Sequence, residues 1–212
     1  MNFEDFIFII NGIFTTLKFT IFGLILGFVI GLPIATMRIS ESKILVILSK
    51  VYISLIRGTP VLLQLSLWYF LFPRVTGIKI SASFACIITF AINSSAYIAE
   101  IIRAGILGVD NGQTEAAKVL GIKKRDILLD IVLPQAIRNI SPAIINEMIS
   151  LTKETAIIGM IGITDLTRRA QLVSAEKYDY FMPLITAAAC YYLIAIVIST
   201  TYGVVERFYK IK

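Results

Sequence analysis

Long apolar runs separated by short charged stretches set the pattern of this chain. Phe19 to Met37, Ile80 to Ala99 and Tyr180 to Val205 contain no charged side chain. A helix needs roughly 20 apolar residues to cross about 30 Å of hydrocarbon, so each run predicts a transmembrane helix. Gly58 to Pro73 is a shorter uncharged run, and it predicts another span if its helix continues back into the preceding segment. The stretch from Asn139 to Thr164 is apolar but carries Glu147, Lys153 and Glu154, which predicts an irregular span. The expectation is an all-α membrane protein, one domain over 1–212, with five transmembrane helices near 7–37, 58–73, 80–103, 138–163 and 180–206. A polar loop over 109–134 joins the third and fourth spans.

Finer patterning adds detail to these spans. Gly23, Gly27 and Gly31 recur every four residues, a spacing that lets another helix backbone approach closely. Lys18 interrupts the first span and is read as snorkelling toward the headgroups. Pro33 predicts a kink near the end of that span. Ser40 to Arg57 has apolar residues at helical spacing among basic ones, as in a helix lying at the membrane surface. Arg57-Gly58-Thr59-Pro60 predicts a break, with Gln64 one turn further on and Trp68 and Tyr69 at the interface. Asn93, Ser94 and Ser95 place polar groups deep in the third span, and Glu100 and Arg103 can pair at i, i+3.

Composition agrees with a membrane chain: 57% of residues are hydrophobic and mean hydropathy is +0.84. The absence of histidine removes His-ligated haem, most zinc sites and His-based acid–base chemistry. Cys86 and Cys190 sit inside apolar runs, with neither metal nor disulfide spacing, so no metal site is expected. Glu4 and Asp5 stand where a cleavable signal would be basic, so no cleaved signal is expected. Most basic residues fall between the first and second spans, between the third and fourth, and after the fifth. The positive-inside rule then puts the N-terminus outside, and the C-terminus and the 109–134 loop inside. That bias accounts for the net charge of +6 without a nucleic-acid partner.

The loop has its own punctuation. Thr114 to Leu120 predicts a short helix with Glu115 at its positive end, and Gly121 fits a left-handed cap. Lys123, Lys124 and Arg125 follow, and a second short helix is expected from Asp126 to Leu133, closed by Pro134. A loop of this length with internal helices is usually functional.

EAAKVLGIKKRDILLDIVLPQA resembles the EAA loop of ABC importer permeases. RGTPVLLQLSLWYF, AYIAEIIRAGI, GQTEAAKVLG, VLPQAIRNISP and LTKETAIIGMIG resemble the polar amino-acid branch of that family, and the resemblance covers nearly the whole chain. One departure is Ala156, where the family pattern suggests serine. The resemblance implies a five-helix type I permease of the bacterial inner membrane. Glu115, Ala116, Ala117, Leu120, Gly121 and Pro134 would belong to a coupling element seated on an ABC ATPase subunit. It also implies a second permease copy, identical or paralogous, and an extracellular or periplasmic substrate-binding protein, all within membrane lipid. The chain has no GxxxxGK[ST] phosphate loop, so ATP and Mg belong to the partner ATPase, and no cofactor is expected here.

Two acids and a base near Lys153 are costly in a membrane and point to cargo binding. Half-helix ends facing a substrate are a known transporter device. The candidate substrate residues are Gln64, Asn93, Glu147, Lys153, Glu154 and Asp165. A carboxylate such as Glu154 in a shielded cavity favours cations, so the expected cargo is arginine, lysine or histidine, with glutamine or another polar amino acid as the alternative. Two rivals stand further off. An intramembrane enzyme would have to pair Ser or Thr with Lys153, and a scaffold would transport nothing.

Overall fold

The computed structural model describes residues 1–210; Lys212, one of the basic residues that follow the fifth expected span, lies outside them. The regular elements among the described residues are all helices, in the order α1 (Phe3–Ile10), α2 (Gly12–Arg38), α3 (Lys43–Arg57), α4 (Val61–Thr76) and α5 (Ala82–Leu107). They continue with α6 (Asn111–Val119), α7 (Lys124–Ile161), α8 (Leu166–Lys177) and α9 (Phe181–Lys210). Among them, 4 helical stretches are long and apolar enough to cross a membrane: Phe3–Arg38, Ala82–Leu107, Lys124–Ile161 and Phe181–Val204. α3 and α4 pass the same test only as a pair, and they are bent by 95°.

α2 and α5 form the centre. A Cβ added at Gly23 would lie 2.7 Å from Phe90 Cβ, at Gly27 2.9 Å from Ser94 Cβ, and at Gly31 2.8 Å from the Ser95 carbonyl oxygen. The glycine face expected from the sequence is therefore the surface on which α5 lies. Apolar cores extend from this pair. Phe19, Leu65, Phe90, Leu151 and Ile158 join α2, α4, α5 and α7. Ile9, Leu166, Val173 and Cys190 join α1, α8 and α9. Cys86 and Cys190 are both buried and free.

The second expected span needs correction. Its helix does not continue back into the surface segment, because α3 stops at Arg57 and the chain turns. Pro60 has no N–H to give the Ile56 carbonyl, and it forces the preceding residue out of helical geometry. Gln64 Nε2 takes the missing role, donating to Ile56 O at 2.8 Å and to Thr59 Oγ1 at 2.9 Å. α4 alone, at 1.5 Å per residue, is roughly 24 Å long, short of about 30 Å of hydrocarbon.

Pro134 also departs from expectation: it does not close a short helix. α7 runs from Lys124 through Pro134 to Ile161, and the turn before the proline widens to π geometry over Ile127–Val132. Widening lets the backbone pass a residue that cannot donate to the carbonyl four positions back. At 38 residues α7 is roughly 57 Å long, so the turns carrying Lys124, Arg125 and Asp126 extend past the apolar layer.

Candidate functional site

Two regions carry the residues singled out by the sequence. The first is α6 and its turn. The helix starts earlier than expected, at Asn111, and its acidic cap is Asp110, whose carboxylate accepts from Gly112 N at 2.9 Å. Glu115 therefore lies mid-helix rather than at the positive end. Gly121 closes the helix at φ +74°. Its N–H donates to Lys118 O at 3.0 Å and that of Ile122 to Ala117 O at 3.1 Å, the paired bonds of a Schellman cap. Ala117 is buried, while Glu115, Ala116 and Gly121 are exposed, as are Val119 (88%) and Leu120 (78%). A short helix with two nearly bare aliphatic side chains at its end presents a surface that the chain itself does not cover. Pro134 lies outside this turn, within α7.

The second region runs through the bundle. Asn93 Nδ2 on α5 reaches Gln64 Oε1 on α4 at 3.3 Å, so these two candidates do meet. Asn93 is 4% exposed, and its Oδ1 has no partner. Gln64 is largely committed to the α3–α4 break. Glu147 on α7 is buried and accepts from Ser94 Oγ on α5 at 2.7 Å. Lys153 is exposed and Glu154 half-buried at the end of the α-helical part of α7. Among the described residues neither forms an ion pair, so they are not a mutual salt bridge. Past them the helix tightens to 3-10 geometry over Thr155–Ile161 and ends at Gly162, φ +87°.

Asp165 sits apart from these. It is fully buried as the N-cap of α8, accepting from Arg168 N at 2.9 Å, Thr167 N at 3.2 Å and the Tyr191 hydroxyl at 3.2 Å. Burial holds its carboxyl above the ordinary value, against the lowering effect of those hydrogen bonds. The expected acids Glu147, Glu154 and Asp165 thus have three different settings. Sequence reading missed the partners that fix this: Ser94 for Glu147, Tyr191 for Asp165, and Arg38, which joins Glu100 from α2 at 3.0 Å. Ser94 was visible as a deep polar residue, but nothing in linear spacing indicated which acid it would meet.

A bundle of apolar helices with a polar strip inside and an uncovered short helix outside defines a multi-pass membrane protein. Residues 23–211 match the family described as binding-protein-dependent transport system inner membrane component. The chain is 49% identical over 201 residues to the putative glutamine transport system permease protein GlnP of Rickettsia typhi, covering 95% of this chain and 92% of that protein. It is 42% identical to the arginine transport system permease protein ArtQ of Bacillus subtilis, covering 94% and 91%. The fold superimposes on the crystal structure of an amino acid ABC transporter with histidines at a TM-score of 0.89 and 42% identity, covering 98% of both chains. The chain belongs to this permease family, in its polar amino-acid branch. It is the membrane permease subunit of an ABC amino-acid importer, a multi-pass protein of the bacterial inner membrane, and not an enzyme.

Proposed function

We propose that the chain crosses the membrane five times, the bent α3–α4 pair serving as one crossing, with the N-terminus outside and the C-terminus inside. The support is the charge bias: basic residues concentrate in α3, in the 109–134 loop and at the C-terminus, the segments that this topology puts on one side. Two copies, or this chain and a paralogue, enclose the pathway. A separate ATPase receives α6 and its Gly121 turn, and an outer binding protein delivers cargo. The observation that carries the coupling role is the uncovered α6, in a chain with no phosphate loop of its own. ATPase closure would draw two such helices together, shifting the bundle between its states.

The cargo reading shifts from the expected basic amino acids to glutamine or a similar polar amino acid. Five Rickettsia relatives at 46–49% identity carry glutamine in their names. The physical case for a cation also weakens, since Asp165 is spent on a helix cap and Glu147 on Ser94. That leaves Glu154, with Lys153 beside it, at the tightened turn of α7 as the proposed cargo contact, and Asn93 with Gln64 as the proposed polar wall. The unfilled Asn93 oxygen suits a cargo that donates N–H groups. The basic reading survives on one observation: among the described residues Glu154 forms no ion pair.

Proteoliposomes holding the permease, its ATPase and its binding protein decide between them. The expected result is glutamine uptake that arginine and histidine compete with poorly, and that Glu154→Gln lowers only modestly. Strong arginine uptake abolished by Glu154→Gln would return the basic amino acids to first place.

A further inference from the structure

A cavity of ≈ 500 Å³ opens between the end of α3, the last turns of α5 and the first half of α7, lined by Arg57, Tyr97, Glu100, Arg103, Gly105 and Asn139 among others. Its volume suits a small molecule. Its charged groups are not equivalent. Glu100 is spent, since Oε1 accepts from Arg38 Nε at 3.0 Å and Oε2 from Arg103 Nε at 2.9 Å. Two guanidiniums hold that one carboxylate. Arg57 is in the opposite condition: among the described residues it forms no ion pair. Its guanidinium carbon lies 4.9 Å from the centre of the Tyr97 ring. The ring face fixes the planar group and takes none of its N–H donors, leaving a fork shaped for a carboxylate.

The neighbouring wall has the other polarity. α5 ends here, and its last carbonyls carry the negative end of the helix dipole. Asn139 Nδ2 reaches the Gly105 carbonyl at 3.4 Å, leaving the amide oxygen of Asn139 as a further acceptor. One side of the cavity therefore offers a fixed cation with free donors, and the other offers acceptors with partial negative charge. A lipid phosphate would satisfy the first and be repelled by the second. A molecule with a carboxylate and an ammonium on adjacent atoms satisfies both.

We infer that this cavity is an exit-side binding site for the main-chain zwitterion of an amino acid, with Arg57 taking the carboxylate and the α5 carbonyl end with Asn139 taking the ammonium. The inference rests on the importer reading and its orientation, which put this end of α5 on the cytoplasmic side. Recognition there uses groups common to all amino acids, so the site is indifferent to the cargo side chain. Amino acid accumulated inside occupies it and opposes the return to the outward state.

The test uses the full complex in proteoliposomes, with the initial rate of labelled glutamine uptake measured against unlabelled glutamine sealed inside. Internal glutamine and arginine should both inhibit, and Arg57→Gln should raise the half-inhibiting concentration about tenfold or more, the value of one charge-assisted pair. Arg57→Lys should fall between. Glutaminamide, which lacks the carboxylate, should not inhibit the unmodified complex, and that arm holds even if the Arg57 variants do not fold. Equal inhibition by glutaminamide, an unchanged response in a folded Arg57→Gln complex, or no internal inhibition in a complex that transports glutamine would each overturn the site. So would an Arg57→Gln effect seen only in vesicles containing phosphatidylglycerol, which would assign Arg57 to lipid phosphate. A complex that takes up no amino acid at all overturns the importer reading and this site together.

Discussion

The α2–α5 interface and the α6 turn both depend on glycine, for opposite reasons. At Gly23, Gly27 and Gly31 there is no room: any Cβ meets α5 at under 3 Å. At Gly121 there is open space, with nothing within 4 Å of a Cβ, but the backbone sits at φ +74°. One region is specified by packing and completed within the chain. The other is specified by backbone geometry and left exposed. The first holds the bundle together, and the second shapes a surface that the described residues leave uncovered. Substitutions should separate the two.

The largest effect is expected at Gly31→Val. Its Cβ would face the Ser95 carbonyl, a backbone atom that cannot swing aside, so destabilisation of about 3 kcal/mol is expected. A lower Tm in detergent, with loss of folded protein, is the readout. An unchanged Tm would mean that α2 and α5 are not in the contact described. Gly121→Val should cost about 1–2 kcal/mol of backbone strain, confined to the turn. The bundle should keep its Tm within a few degrees while co-purification with the ATPase falls. Equal loss of both would erase the distinction between the regions.

Glu100→Gln comes next. It leaves Arg38 and Arg103 facing each other without their shared carboxylate, at the end of the α2–α5 contact. The pairs are partly exposed, so about 1 kcal/mol is expected, with sensitivity to salt. Gly203→Ala is the control of opposite sign. Its Cβ would meet nothing within 4 Å, so about 0.5–1 kcal/mol of helix stabilisation is expected. The smallest effect is Asp5→Asn, which breaks a 3.9 Å contact with Lys177 at the surface. The Lys177 ammonium is held above its ordinary pKa by Glu176 first and Asp5 second. Its contribution is present below the unfolded value and lost as pH rises through the folded one, and no shift in Tm is expected near neutral pH.

Much of this was legible in the linear pattern because membrane helices must satisfy their own backbone, so each apolar run of sufficient length has one available structure. Gly121 was legible because few residues other than glycine tolerate a left-handed cap. At Pro60 the expected break and new helix are present, whereas Pro134 does not close a helix as expected. Pro60 and Pro134 each remove one N–H, yet one accompanies a 95° turn and the other a widened helix that continues. What separates them is the surroundings. Gln64 caps the carbonyls left open at Pro60, whereas Pro134 lies in a helix held on α5 by the packing of Ile140 on Gly105.

The sequence by itself determined the helical membrane class, the glycine face of α2 and the left-handed turn after α6. Each follows from a local rule of solvation or sterics. Only the tertiary structure decided which acids stand together. Glu147, Glu154 and Asp165 are close in sequence but have three separate settings: Glu147 accepts from Ser94 on α5, Asp165 caps α8 and accepts from Tyr191 on α9, and Glu154 is half-buried at the end of the α-helical part of α7. Likewise, Arg38, Glu100 and Arg103 became one cluster only once α2 lay along α5, since the close approach permitted by three missing Cβ atoms brings the ends of those helices together.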